Sequence, residues 1–401
     1  MENPLTAATG ASSAGEPTAG VSPAATASWA GVSANIGEVP EPDAAAAAVE
    51  QAAAHRRARA LDLPRGSLGK LSEVAAWLAA VQGTSPPRPI TRARAILLAA
   101  DHGIAEAGLY PWPAGATARR LAAVAAGASP LAVLARRAGV GLRLVDIALG
   151  VTADGGAGTG LPDDEGYRVR AGNGRIDQDD ALTVAEAERA FATGRRLADE
   201  EIDAGADLLI PGALGVGADT AAAVVVAALR DHEPIDVVDR GDGVDDARWM
   251  LRTAAIRDAL RRTRPFAPDA RSVLRVAGGA DLAAIAGVLV QAAVRRTPVI
   301  VDGPAACAAA LAAERLAPGS RAWWLVGSDC PDPAARHAAE ALSLSPLVDL
   351  KIRVDDGTGA FAAAALVAAA VETAADLDAA AAEAGAAAGE AEADVDAADI
   401  T

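Results

Sequence analysis

Two adjacent carboxylates run into a Gly-Thr-Gly segment at Asp355-Asp356-Gly357-Thr358-Gly359, the stretch of this 401-residue chain best equipped for chemistry. A carboxylate there can take a proton, and flanking glycines let backbone N–H groups approach a ligand closely. The preceding Leu347–Val354 alternates and is rich in branched residues, so it reads as a strand; the Ala- and Val-rich run from Ala360 reads as a buried helix. Ligands of open α/β sheets gather where strands end and helices begin. The same residues also suit a solvated acidic turn that caps a helix, and the turn alone does not separate the two readings. Five more segments share its make-up: Asp101-His102-Gly103, Pro211–Gly217, Arg240–Gly243, Asp302-Gly303 and Gly327. Each taken singly is an ordinary βα turn. In a parallel sheet, however, all six fall on one edge, and as a set they point to a ligand cleft with helix N-termini suited to an anion such as phosphate.

Other chemistries find little support. There is no Walker pattern, no Gly-x-Gly-x-x-Gly after a strand and no Gly-x-Ser-x-Gly elbow. His102 alone among four histidines sits at a strand end, where it either bonds locally or serves as a base. Cys307 and Cys330 follow different strand ends and read as small packing residues; without a CxxC or Cys/His cluster, no metal site is expected.

The elements that must position these residues alternate. Ala44 to about His55-Arg-Arg and Leu71–Val81 read as helices around a break at Leu63–Ser67. Ala95–Ala100, Leu142–Leu149, Asp207–Ile210, Thr297–Asp302 and Ala322–Val326 read as strands, and Ile235–Val238 leads into the Arg240–Gly243 turn. Helices are expected over Thr117–Ala126, Pro130–Ala138, from a Thr183/Glu186 capping box to about Ala204, from near Asp219, up to about Arg262, and from Gly278 to Val294. This order predicts an α/β fold: a doubly wound, Rossmann-like parallel sheet flanked by helices. Residues 1–40 read as a disordered tail, 41–90 as a small helical region, 91–375 as the α/β domain and 376–401 as an acidic Ala-rich tail, helical at best. The Gly- and Asp-rich stretch 150–181 is a long loop of the kind functional sites tolerate.

A net charge of −17 with only two lysines, Lys70 and Lys351, argues against nucleic acid as a partner. With no secretory signal and no apolar run of about 18 residues free of charge, Gly or Pro, a soluble cytoplasmic protein without membrane association is expected.

Leu61-Asp-Leu-Pro-Arg-Gly-Ser-Leu-Gly-Lys-Leu71, Asp101-His102-Gly103, Gly205-Ala-Asp-Leu-Leu209, Val238–Arg252, Ala277–Gly287, Val301-Asp302-Gly303 and Gly357-Thr-Gly-Ala360 recur in order. Together they resemble the nicotinate-nucleotide–dimethylbenzimidazole phosphoribosyltransferase family, from about Ala44 to about Ala374. The resemblance implies a homodimer that moves phosphoribose from nicotinate mononucleotide to 5,6-dimethylbenzimidazole, without metal or cofactor, for cobalamin biosynthesis. It places Asp356 where the family carries its catalytic glutamate, one methylene shorter, with Asp355 beside it. It assigns Gly212, Gly215, Gly217, Thr220, Gly241, Gly243, Arg252, Gly357, Thr358 and Gly359 to the phosphoribosyl group. Asp101, His102, Tyr110, Trp112 and Arg119 fall to the aromatic-base pocket.

Departures cluster at the same edge. Ala213 replaces an acidic residue, Asp239 and Asp242 stand in a usually Gly/Thr turn, Tyr110 replaces a small hydroxyl, Arg119 a glutamine, Arg252 a lysine, and Gly327-Ser-Asp-Cys330 the usual Gly-His-Arg-Ser. An aspartate facing the phosphate would repel it. Three readings follow: an active phosphoribosyltransferase for dimethylbenzimidazole or a related base, a catalytically impaired paralogue acting as a binding or regulatory protein, or a different nucleotide-sugar reaction on the same scaffold.

Overall fold

The computed structural model describes residues 36–150, 166–241, 245–354 and 356–398. Six strands form one parallel sheet in the order β2-β1-β3-β4-β5-β6: β1 Ala93–Ala100, β2 Gly141–Ala148, β3 Leu208–Leu214, β4 Val299–Val301, β5 Trp324–Ser328 and β6 Pro346–Val348. The α/β expectation holds. The central strands are continuous apolar runs, with Ala95–Ala100 and all of β3 buried, as a sheet covered on both faces requires.

The helices are α1 Ala44–Ala60, α2 Lys70–Gln82, α3 Ala116–Ala125, α4 Pro130–Arg137, α5 Val184–Asp203, α6 Ala218–Arg230, α7 Pro234–Val237, α8 Asp246–Thr263, α9 Ala270–Val273, α10 Gly279–Val294, α11 Gly303–Leu316, α12 Pro333–Leu342 and α13 Thr358–Ala398. Local signals start several of them. Asp43 accepts the Ala45 and Ala46 N–H groups at 2.9 and 3.1 Å, Ser129 caps α4 ahead of Pro130, and Thr183 and Glu186 form the expected capping box.

Small side chains bring helices into backbone contact. Helix α10 is buried from Gly279 to Ala293. A Cβ on Gly194 of α5 would lie 1.9 Å from the Ala284 carbonyl, and one on Gly287 would lie 2.2 Å from the Phe191 carbonyl. With few aromatic residues in the chain, this close approach supplies the dispersion contacts that larger side chains usually give.

The structure corrects three sequence expectations. Strand β3 runs on through Pro211–Leu214, which read as turn, because Pro211 and Gly212 pair with Ile96 and Leu97 of β1. Ile235–Val238 is not a strand end but lies around the single turn α7, with Glu233 and Asp236 capping each other's ends. The strand expected over Leu347–Val354 stops at Val348, and Lys351 turns to φ +53°. The C-terminal segment from residue 376, expected as a tail helical at best, is the end of α13, which runs on to Ala398 and whose Asp378 carboxylate pairs with Arg57 Nε at 2.6 Å. The small helical layer therefore has three members, α1, α2 and α13. It docks on the sheet domain through Trp77 Nε1–H to the Ala322 carbonyl at 3.1 Å and Trp323 Nε1–H to the Pro40 carbonyl at 2.8 Å.

Candidate active site

Strand β1 pairs with β2 on one side and β3 on the other, so chain order reverses across β1 and β3 and a crevice opens at their C-terminal ends. A cleft of about 310 Å³ lies at this edge, walled by Tyr110 and Trp112, Arg120 of α3, the 213–217 segment and Asp356, and closed by Asp219, Asp239, Asp332 and Arg353. The volume suits a small ligand.

Asp356 stands one residue before Gly357 at the start of α13, half-buried at the cleft wall. Its Oδ1 accepts the Thr358 N–H at 3.1 Å and the Thr358 hydroxyl at 2.5 Å. The carboxylate thus caps a helix and also lines a cavity. Burial pushes its pKa up, opposed by the Thr358 bonds and the Arg120 cation. Gly212, assigned to phosphate from the resemblance, lies within β3 behind this turn. A Cβ there would stand 2.5 Å from the Asp356 carbonyl, so its work is close packing.

Opposite, Asp219 gathers three partners. Arg252 pairs with one of its oxygens, while the other accepts the Tyr110 hydroxyl and, at 2.7 Å, the Thr220 N–H. The Tyr110 hydroxyl also meets Thr220 Oγ1 at 2.5 Å, and the Arg252 guanidinium lies 5.5 Å from the Tyr110 ring centre. Burial and Asp219 hold the Tyr110 phenol well above its ordinary pKa, so it stays protonated. Trp112 stacks on Tyr110 at 5.7 Å and 17°, with the Arg120 guanidinium 4.2 Å from the Trp112 ring centre. The resulting wall is flat, aromatic and half-open, Trp112 being 48 % exposed.

The cleft is less acidic than its composition suggests. Asp219 is paired with Arg252, and Asp239 with Arg353 at 3.2 Å. Asp332 caps α12 through the Ala334 and Ala335 N–H groups, and burial with Asp239 and Asp219 nearby pushes it up to about 7. The repulsion expected of Asp239 toward an anion is therefore offset by a guanidinium the sequence places 114 residues away.

Behind the Gly215–Gly217 segment, His102 Nε2 meets Asp281 Oδ2 at 2.9 Å, and Asn173 donates to the other Asp281 oxygen at 3.4 Å. Burial works against a charged ring, yet Asp281 raises the His102 pKa. Gly217, at φ +100°, needs to be glycine twice over, because a Cβ would also sit 2.8 Å from His102 Cβ. Asp101 accepts the Gly150 N–H at 2.9 Å.

Of the residues singled out from sequence, Asp356, Tyr110, Trp112, Gly215 and Gly217 line the cleft. Thr220 and Arg252 support it from below; Gly357, Thr358 and Gly359 form the first turn of α13; Asp101 and His102 stand behind it. Arg119 is exposed and folds back on the Pro113 and Ala114 carbonyls, leaving Arg120 as the cleft residue of that pair. Gly241 is described at φ +67° and does not line the cleft, whereas Asp242, Gly243 and Asp355 fall outside the described residues. Sequence reasoning missed Arg120, Asp219, Asp332 and Arg353. Only the Asp-Pro start of α12 carried a local signal, an N-cap before Pro333.

A family profile described as phosphoribosyltransferase matches residues 39–385. Nicotinate-nucleotide–dimethylbenzimidazole phosphoribosyltransferase of Mycolicibacterium paratuberculosis is 50 % identical over 322 residues, 80 % of this chain and 90 % of that protein. The enzyme of that name from Mycobacterium avium is 49 % identical over 334 residues, 83 % of this chain and 92 % of its own length. The crystal structure of the enzyme from Thermus thermophilus superposes with a TM-score of 0.72 at 34 % identity, over 81 % of this chain and 95 % of that one. The chain belongs to the nicotinate-nucleotide–dimethylbenzimidazole phosphoribosyltransferase family.

Proposed function

We propose that this phosphoribosyltransferase moves the phosphoribosyl group of nicotinate mononucleotide to 5,6-dimethylbenzimidazole or a related aromatic base, with Asp356 as the general base. The supporting observation is the half-buried Asp356 carboxylate at the cleft wall, facing a site with a flat aromatic side. An acceptor ring nitrogen attacks the anomeric carbon as the glycosidic bond to the pyridinium breaks. That bond's electron pair returns to the pyridine nitrogen and releases nicotinate. The proton on the acceptor's second nitrogen passes to Asp356, leaving a neutral base in α-ribazole phosphate. A pyridinium leaves readily, so most of the catalysis is positioning. The Trp112–Tyr110 stack offers an acceptor ring a parallel face, and Arg120 offers the donor's negative charge a cation at the cleft.

A cytoplasmic homodimer belongs to the same reading. Exposed Ile235, Met250 and Leu251 on α7 and α8 supply apolar surface for a second copy. The test of function is nicotinate release from nicotinate mononucleotide across a panel of benzimidazoles and related bases, with the ribosylated product identified by mass. We expect turnover with at least one base. A folded protein inert toward the whole panel would sink the reading in favour of a binding or regulatory paralogue.

A further inference from the structure

Behind the turn that carries Asp356 lies a second carboxylate that the reaction above does not use. Asp302, at the end of β4 and 2 % exposed, reaches into the first turn of α13. Its Oδ2 accepts the Gly359 N–H at 2.8 Å and its Oδ1 the Ser328 N–H at 3.1 Å. A Cβ on Gly359 would stand 2.6 Å from both Asp302 oxygens, so glycine is what lets them meet. One side chain thereby joins β4, β5 and α13, and the helix start it fixes is the one Asp356 caps.

We propose that Asp302 is a positioning residue for the base, holding the Asp356 turn in place through the Gly359 and Ser328 N–H groups. The proposal rests on Asp356 being that base. Burial pushes Asp302 up to about 7, with the Asp356 charge adding to the rise and the Ser328 and Gly359 N–H groups opposing it. Arg120 acts on Asp356 from α3, and the Cys307 thiol of α11, itself pushed up by burial and by Asp302, lies on the Asp302 side. Asp332 and the Asp219–Arg252 and Asp239–Arg353 pairs complete the charged groups around the cleft. Below neutrality Asp302 carries its proton and adds no negative charge beside Asp356. As pH rises past 7, Asp302 ionises and the second negative charge makes Asp356 a stronger base.

The pH dependence of kcat for nicotinate release tests this in the full chain. Wild type is expected to rise in two steps, the upper near pH 7. Asp302→Asn has no charge to gain, so it loses the upper step and runs roughly threefold slower at pH 8, with KM and the lower step retained. A variant profile parallel to wild type through pH 7 overturns the proposal. Asp356→Ala separates the two ideas, since full activity there removes the base assignment itself. Asparagine can satisfy only one of the two N–H donors, so a second measurement keeps the test independent of that variant's fold. In carbon-13 spectra of aspartate-labelled protein, one carboxyl titrating near 7 should move to lower pH when Asp356→Asn removes the neighbouring charge. If none moves, the proposal falls.

Discussion

Replacing Asp356 by asparagine separates the two jobs of this side chain. The amide oxygen can still accept the Thr358 N–H and hydroxyl that Asp356 Oδ1 accepts at 3.1 and 2.5 Å, so the start of α13 is preserved. A cap of this kind contributes about 1 kcal/mol, which Asp356→Ala forfeits and Asp356→Asn keeps. What asparagine cannot do is take a proton. General-base catalysis is worth ~10²- to 10⁴-fold, and the lower end applies here because the pyridinium leaves easily. That is a barrier increase of ~3 kcal/mol. Steady-state nicotinate release at pH 8, with both substrates saturating, should therefore fall by about 100-fold in Asp356→Asn. The KM for nicotinate mononucleotide and the melting temperature should hold. Asp356→Ala should lose the same activity and additionally melt earlier. The reasoning is refuted if Asp356→Asn keeps more than about a tenth of the wild-type kcat, because no proton acceptor of the required strength would then be missing.

Two further perturbations probe stability. Arg57→Ala strands Glu50, which is 1 % exposed and otherwise bonded to Ser85 Oγ at 2.8 Å, so it should cost on the order of 3 kcal/mol in denaturant melts while kcat stays unchanged; an unaltered midpoint would show the ion pair to be idle. Asp332 is raised from its ordinary 3.8 to about 7, so between those values the folded state holds a proton that the unfolded state has released. Stability is lost as pH rises through that window and levels off above 7. Asp332→Asn keeps both α12 cap bonds, which share Oδ1, and should melt like wild type at pH 4 yet later than wild type at pH 8. A melting difference that does not change with pH would contradict this.

Much of the framework was legible because its causes are local. The short apolar runs of β1 and β2, the Asp43, Ser129 and Thr183/Glu186 caps and the glycine-bracketed turn at 357–359 each depend on neighbours within about a turn of chain. The colinear motifs added the family, and with it a place for Asp356 at the cleft. Propensity misled where long-range pairing overrode it. Pro211-Gly212 reads as turn but is strand, because β1 offers a ladder and the Asp356 carbonyl leaves no room for a Cβ on Gly212.

The charge pairing of the cleft came from tertiary structure. Successive helical residues point about 100° apart, so only the packing of α3 could decide that Arg120, and not Arg119, faces the ligand edge. Asp219 finds Arg252 33 residues away, and Asp302 finds Gly359 57 residues away. Protonation depends on burial and on charges that folding brings close, which is why Asp302 and Asp332 look like ordinary acids in the sequence and titrate near neutrality in the fold. The sequence by itself determined which segments become strands, helices and the acidic turn, together with the family. Tertiary structure decided which carboxylates face the cleft and which are neutralised, because both depend on groups that only folding brings together.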